Sequence, residues 1–187
     1  MVHVAPPATR RTRSGGWLLA PLLAFALVAL TVGLVARSTD PGPRSYFELF
    51  FSDPIHMKVW LASAALACGV LQLVTAAWIF RKLPWEKPAW VNPVHRWTGR
   101  LAFIFVLPVA YHCIFQLGFQ TGTTRSYAHS LLGSAFFGAY AAKITIVKLR
   151  RFPVFVLPIA GGILFTVLLI VWWTSSLWFF RTIDTGF

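Results

Sequence analysis

Five long apolar stretches set what this chain can fold into. They run from about 17 to 36, 54 to 80, 94 to 118, 127 to 147 and 153 to 180. Each approaches or exceeds the ~20 residues that carry a helix across ~30 Å of hydrocarbon. Lipid offers no hydrogen bonds, so an open-ended segment crossing it must satisfy its own backbone, which only a helix does. The expected fold class is therefore an all-α membrane protein with five transmembrane helices, helices two to five forming a four-helix bundle. The 187 residues are 57% apolar and 12% charged, against about 25% charged in a soluble domain. Two cysteines cannot make a disulfide scaffold. Cys68 and Cys113 both fall inside apolar runs and read as small buried core residues.

The net charge of +12 would suggest nucleic acid on a soluble protein. Here the basic residues lie between the apolar runs, where anionic headgroups and membrane orientation account for them. No basic stripe interleaved with aromatics lies outside the membrane segments, so nucleic-acid binding is set aside. Arg10, Arg11, Arg13, Arg81, Lys82, Lys87, Arg96, Arg100, Lys148, Arg150 and Arg151 fall on one side of a five-span chain. The other side holds fewer basic residues (Arg37, Arg44, Lys58, Arg125 and Arg181) and four of the five acids, Asp40, Glu48, Asp53 and Asp184. Positive-inside bias then expects the cytoplasmic membrane of a bacterium, with the N-terminus in and the C-terminus out.

The expected division is a disordered cytoplasmic tail at 1–16, a first span at 17–36 and an outer loop at 37–53. A bundle at 54–180 and an outer tail at 181–187 follow. The first span is longer than a typical signal-peptide core and lacks a small-x-small site, so it reads as a retained helix. Arg10-Arg11 is too weak for a twin-arginine signal. "SYFELFF" (45–51) reads as an aromatic segment along the outer interface. Trp17, Trp78, Trp85, Trp90 and Trp178 sit where interfacial aromatics belong.

Ionisable residues inside a membrane are functional candidates. His56, at the start of helix two, His112, near the end of helix three, and His129, at the start of helix four, share the outer level. His95 stands at the inner foot of helix three, 17 residues from His112, or roughly 25 Å along a helix. Three outer imidazoles on three helices suggest a haem iron. A bare copper or zinc ion, or hydrogen-bonding histidines with no cofactor, are the alternatives. For haem, His56 and His129 on diagonal helices are the favoured axial pair, with His112 as an alternative ligand. Gly133 and Gly138 lie where a missing side chain lets a flat ring approach, or where helices pack closely. Lys58, Arg125 and Tyr127 are candidates for the propionates, although the two cations also suit snorkelling. Pro108, four residues before His112, kinks helix three. On the inner side, His95, Arg96 and Lys143 are candidates for a quinone headgroup, a second cofactor or a partner subunit. His95 also reads simply as an interfacial histidine.

Over about 54–180 the sequence resembles the cytochrome b561 superfamily of membrane haem proteins. "YAHSLLGSAFFGAY" (127–140) is similar to that family's His-Ser-x-x-Gly stretch at the start of its fourth helix. His95 lies 34 residues before His129, similar to the family's spacing. The resemblance implies one haem between helices two and four, held by His56 and His129, and another between helices three and five. Helix five holds no histidine, so one haem b near the outer face is expected and no second. A haem iron with both axial positions filled by histidine leaves one-electron transfer as its chemistry. The expectation is a small b-type cytochrome relaying electrons from membrane quinol to an extracytoplasmic redox protein, with no catalytic residue of its own. Its other expected partners are membrane lipids and subunits of a respiratory complex. The rival is a cofactor-free accessory subunit of a larger respiratory or transport complex. A transporter is set aside, because no paired broken helices and no acid within a helix core are evident.

Overall fold

The structure, a computed structural model, describes residues 15–42 and 46–182. The expected tail with His3, Arg10, Arg11 and Arg13, the start of the aromatic segment with Arg44 and Ser45, and the last residues with Asp184 lie outside the described residues. All regular structure among the described residues is helical. A 3₁₀ turn, Gly15–Leu19, leads into α1 (Ala20–Ser38), followed by α2 (Pro54–Ile79) and α3 (Val91–Tyr111). Then come α4 (Thr124–Leu149), α5 (Val156–Trp172) and a short α6 (Trp178–Thr182). Wide π turns extend α3 over His112–Gln116 and join α5 to α6 over Trp173–Leu177. Among the described residues there are five helices long and apolar enough to cross a membrane, as the apolar runs require.

The helix starts are written in short polar signals. Asp53 caps α2, its carboxylate accepting from the Ile55 and His56 backbone N–H groups at 2.8 and 2.9 Å. Pro54 follows at the first helical position, where its missing N–H costs nothing. Thr123 and Ser126 form a capping box at the start of α4. The π turn of α5 follows from its hydroxyls. Thr174 donates to the Ile170 carbonyl at 2.9 Å and Ser175 to the Val171 carbonyl at 2.8 Å. These side chains compete for the carbonyls that an ordinary α-turn would use.

α2 packs against α3 and α5, α4 packs against α5, and α1 lies along α4. α2 and α4 are therefore diagonal across the bundle. α3 and α4 meet through side chains, with Phe103 stacked on Tyr140 at 4.4 Å between centroids. α1 approaches α4 closely only because Gly138 has no side chain. A Cβ there would lie 2.7 Å from the Phe25 carbonyl oxygen and 2.9 Å from the Ala29 Cβ. Small residues at such crossings let backbones approach and gain dispersion contacts. Gly138 is thus a packing residue, the second of the two roles its position allowed. Ala65, Val106, Phe136 and Leu168 form a buried core at mid-bundle.

Candidate functional site

Above that core, between α2, α3, α4 and α5, the helices line a partly open cavity of about 450 Å³. It lies at the end of the bundle where α2 and α4 begin, called here the upper end. Cavities of ~300–1,000 Å³ are the usual size for small-molecule and cofactor sites. The floor and walls are apolar, with Val106, Phe136, Phe137 and Leu168 among them. The polar lining is Lys58, Cys113, Gln120, Arg125, His129 and the hydroxyls of α4 and α5. No carboxylate is among the lining residues. Val32 and Ala36 of α1 close one side.

His129 is held in one tautomer. Its Nδ1 lies 3.1 Å from Thr174 Oγ1. The Thr174 hydroxyl proton is already given to the Ile170 or Val171 carbonyl, at 2.9 and 3.0 Å. Thr174 Oγ1 therefore accepts from His129 Nδ1–H, and the lone pair sits on Nε2. That nitrogen has no hydrogen-bond partner among the described residues, and His129 lines the cavity. Metal-ligating histidines are typically oriented in this way, one ring N–H committed and the other nitrogen free.

Around it stand two cations. Arg125 donates to the Thr174 carbonyl at 2.6 Å and its guanidinium lies 3.8 Å from the Trp178 ring centroid. Lys58, one turn into α2, has no hydrogen-bond partner among the described residues. Gly133 opens onto empty space, since a Cβ added there meets nothing within 4 Å. Ser176 is 1% exposed, lines the cavity and has a hydroxyl with no hydrogen-bond partner among the described residues. Tyr127 does not line the cavity; its ring packs edge-on to Phe119.

The other two upper histidines stand off the cavity wall. His56 gives its Nδ1 to the Asp53 carboxylate and sets its ring edge-on to Phe179 at 5.5 Å. His112 is fully buried with both nitrogens used. Its Nδ1–H donates to the Pro108 carbonyl at 2.9 Å, and its Nε2 accepts the Phe47 backbone N–H at 3.4 Å. Tyr46 stacks on it at 5.6 Å. His112 pins the loop before α2 to the end of α3.

At the lower end, Thr75 Oγ1 lies 2.8 Å from His95 Nδ1 and donates its own proton to the Leu71 carbonyl at 2.6 Å. His95 thus also keeps Nδ1–H. Gln72 reaches the His95 carbonyl and Thr98 Oγ1, tying α2 to α3. Lys143 also lies toward this end, its Nζ 4.0 Å from where a Gly161 Cβ would be. Arg96 is exposed. The Phe103–Tyr140 stack lies between this lower layer and the cavity in the order of residues along α3 and α4.

Outside the spans, the Asp53 carboxyl is held down at about 2, chiefly by the His56 backbone N–H and further by the His56 ring. Its folded value lies below the ordinary 3.8. Its contribution to stability is therefore complete above that value and fades as pH falls through about 2. Replacing Asp53 by Ala is expected to cost about 0.5–2 kcal/mol at neutral pH. Thermal unfolding in detergent would show a gap from wild type that narrows below pH 4; a gap independent of pH would contradict the cap.

Sequence reasoning found His129, Lys58, Arg125 and Gly133, which the structure brings to one cavity. It missed Thr174 and Ser176. Their signal was the run "TSS" (174–176) in an otherwise apolar fifth helix. No curated protein and no solved structure matches the chain. Residues 18–187 match the family described as a family of unknown function, DUF6529. With nearly its whole length matched, cavity residues included, the chain belongs to the DUF6529 family.

Proposed function

We propose that the protein is an integral membrane b-type cytochrome that relays single electrons through one haem near the extracytoplasmic face. The observation that carries this reading is His129. It lines an apolar cavity with a tautomer fixed by α5 and with Nε2 unpaired. The rest of the lining fits the group in part. Arg125 and Lys58 supply positive charge for propionates at the rim, the walls suit a macrocycle, and Gly133 leaves a face open. The expected second imidazole does not yet fit. His56 stands outside the wall, and its ligation would require leaving Asp53.

A bound haem supplies one-electron redox chemistry, tuned by its ligands and burial. This chain's residues bind, orient and shield it. Thr174 holds the His129 ring, Arg125 is itself positioned on Trp178, and the apolar floor excludes water. Positive-inside bias puts the cavity end outside, so electrons would pass from membrane quinol to an extracytoplasmic acceptor.

The test is the reduced-minus-oxidised spectrum of purified protein, with haem extracted and counted. A b-type α band at one haem per chain supports the reading, and colourless protein refutes it. Gly133→Leu sharpens the test, because a Cβ at that position meets nothing within 4 Å and the cavity is there to receive the side chain. It is expected to lower haem content about tenfold or more, the scale of a lost site-shaping contact, with helicity unchanged. The second reading, a cofactor-free accessory subunit, is favoured by the internal hydrogen bonds of His56 and His112. It expects colourless protein that copurifies with other subunits.

A further inference from the structure

We propose that the upper cavity binds a single-chain carboxylate amphiphile, a free long-chain fatty acid of the bilayer. Such a ligand needs no iron and no second imidazole, so the site goes beyond the haem proposal and stands without it. The lining holds the cations Lys58 and Arg125 and no carboxylate. Two cations beside an apolar space, with no acid among the lining residues to neutralise them, complement an anion that carries an apolar body.

Charge and apolar wall are ordered along the bundle. Lys58 stands one turn into α2 and Arg125 at the start of α4, both toward the upper end. Val106, Phe136 and Leu168, deeper in the same cavity, belong to the mid-bundle core. A fatty acid has the same order, one ionised carboxylate and then an unbroken chain. Arg125 is already fixed in place by the Thr174 carbonyl and the Trp178 ring. That bond uses one of five guanidinium N–H donors, and the others can take a carboxylate. His129 lies one turn below Arg125. Its Nε2 lone pair gives an anion nothing, so the head group stays above it, at the level of the cations.

Ser176 is the second, independent observation. It stands two residues beyond Thr174, whose carbonyl holds Arg125. Its hydroxyl is buried on the cavity wall with no hydrogen-bond partner among the described residues. Its neighbours Thr174 and Ser175 both donate to α5 carbonyls. A buried hydroxyl without an acceptor costs free energy, which a ligand oxygen beside it offsets. Lys58, Arg125 and Ser176 thus come from three helices to one head-group level, and each has donors left to give.

The test uses the full chain in lipid nanodiscs without added haem, titrated with radiolabelled palmitate at mildly alkaline pH, where the acid is ionised. Wild type is expected to bind palmitate saturably, one per chain. Hexadecanol, the same chain without charge, is expected to compete at least about tenfold more weakly, the scale of a lost charged hydrogen bond. Lys58→Gln and Arg125→Gln are expected to weaken binding by about the same factor. Lys148→Gln makes the same charge change at an exposed residue off the cavity and is expected to match wild type. Ser176→Ala removes a hydroxyl that no described group uses, so it is expected to fold as wild type and bind about two- to tenfold more weakly. Gly133→Leu is expected to block binding, and it serves if the Arg125 variant fails to fold. Palmitate held equally by wild type, Lys58→Gln and Gly133→Leu would be lipid on the outer surface and would overturn the proposal. Phosphatidic acid, an anionic head on two chains, is expected not to displace palmitate; displacement as strong as by palmitate itself would overturn the free acid as occupant. Haem uptake without saturable palmitate binding would overturn this proposal and leave the haem reading standing. Saturable palmitate binding in a chain that takes up no haem would support this proposal and refute the other.

Discussion

If the cavity holds the proposed haem, replacing His129 by alanine is expected to leave a colourless protein that still reaches the membrane. His129 is the one imidazole on the cavity wall, so its loss removes the strongest donor offered to a metalloporphyrin. Its structural contribution is small by comparison. The ring's hydrogen bonds all go to α5, at Thr174 Oγ1 and the Val171 backbone, and the Thr174 hydroxyl already serves that backbone. An alanine there leaves no buried charge and enlarges an existing cavity. Pigment loss should therefore be near complete while membrane level and helicity change little. The measurement is haem per chain, by extraction, with protein quantified separately. Thr174→Val is a graded companion. It removes the acceptor for Nδ1–H but keeps shape, and second-shell losses of this kind typically cost ~10–100-fold in affinity. Pigment retained in full in His129→Ala would reject this histidine as ligand.

Gly138→Ala is expected to detach α1 from α4, although it adds a single methyl group. That methyl would stand 2.7 Å from a backbone carbonyl and 2.9 Å from a neighbouring Cβ, neither of which can rotate aside. Overpacking in a close-packed interior costs about 1–3 kcal/mol, and more where backbone must move. A reporter is built into the same interface. A Cβ on Gly33 would lie 3.8 Å from the Ser134 Cβ, inside the ~3.5–4.5 Å range that a disulfide spans. With Cys68 and Cys113 removed, a Gly33→Cys, Ser134→Cys pair should oxidise readily, and adding Gly138→Ala should suppress that crosslink. Unaltered crosslinking would mean that α1 can shift without loss. Since Val32 and Ala36 wall the cavity, the same substitution tests whether α1 is needed for ligand retention.

The spans were legible because lipid enforces a simple rule on every backbone group, and five apolar runs obey it. The diagonal placement of the second and fourth helices was legible from a bundle ordered two-three-four-five around its axis. His129 was legible as an imidazole at the start of an apolar helix. What could not be read was the division of labour among the upper histidines. The fate of His112 depends on Phe47, 65 residues earlier, which docks a loop N–H on its ring. No periodicity carries that contact. His56 is different, because the cause is local. Asp-Pro at 53–54 announces a helix cap, and a capping carboxylate three residues before a histidine is placed to take its ring N–H. Gly138 shows the limit of residue type as a guide, since a flat ligand and a neighbouring helix make the same demand for a missing side chain.

The wide turn at Trp173–Leu177 makes helix length a specification in its own right. A turn carrying one residue more than the ordinary helix rotates everything beyond it about the axis. Beyond it stand Trp178, which carries the Arg125 guanidinium, and Phe179, which walls the cavity beside His56. Removing a single residue from that stretch would leave the hydropathy of the segment almost untouched, yet swing both rings toward lipid.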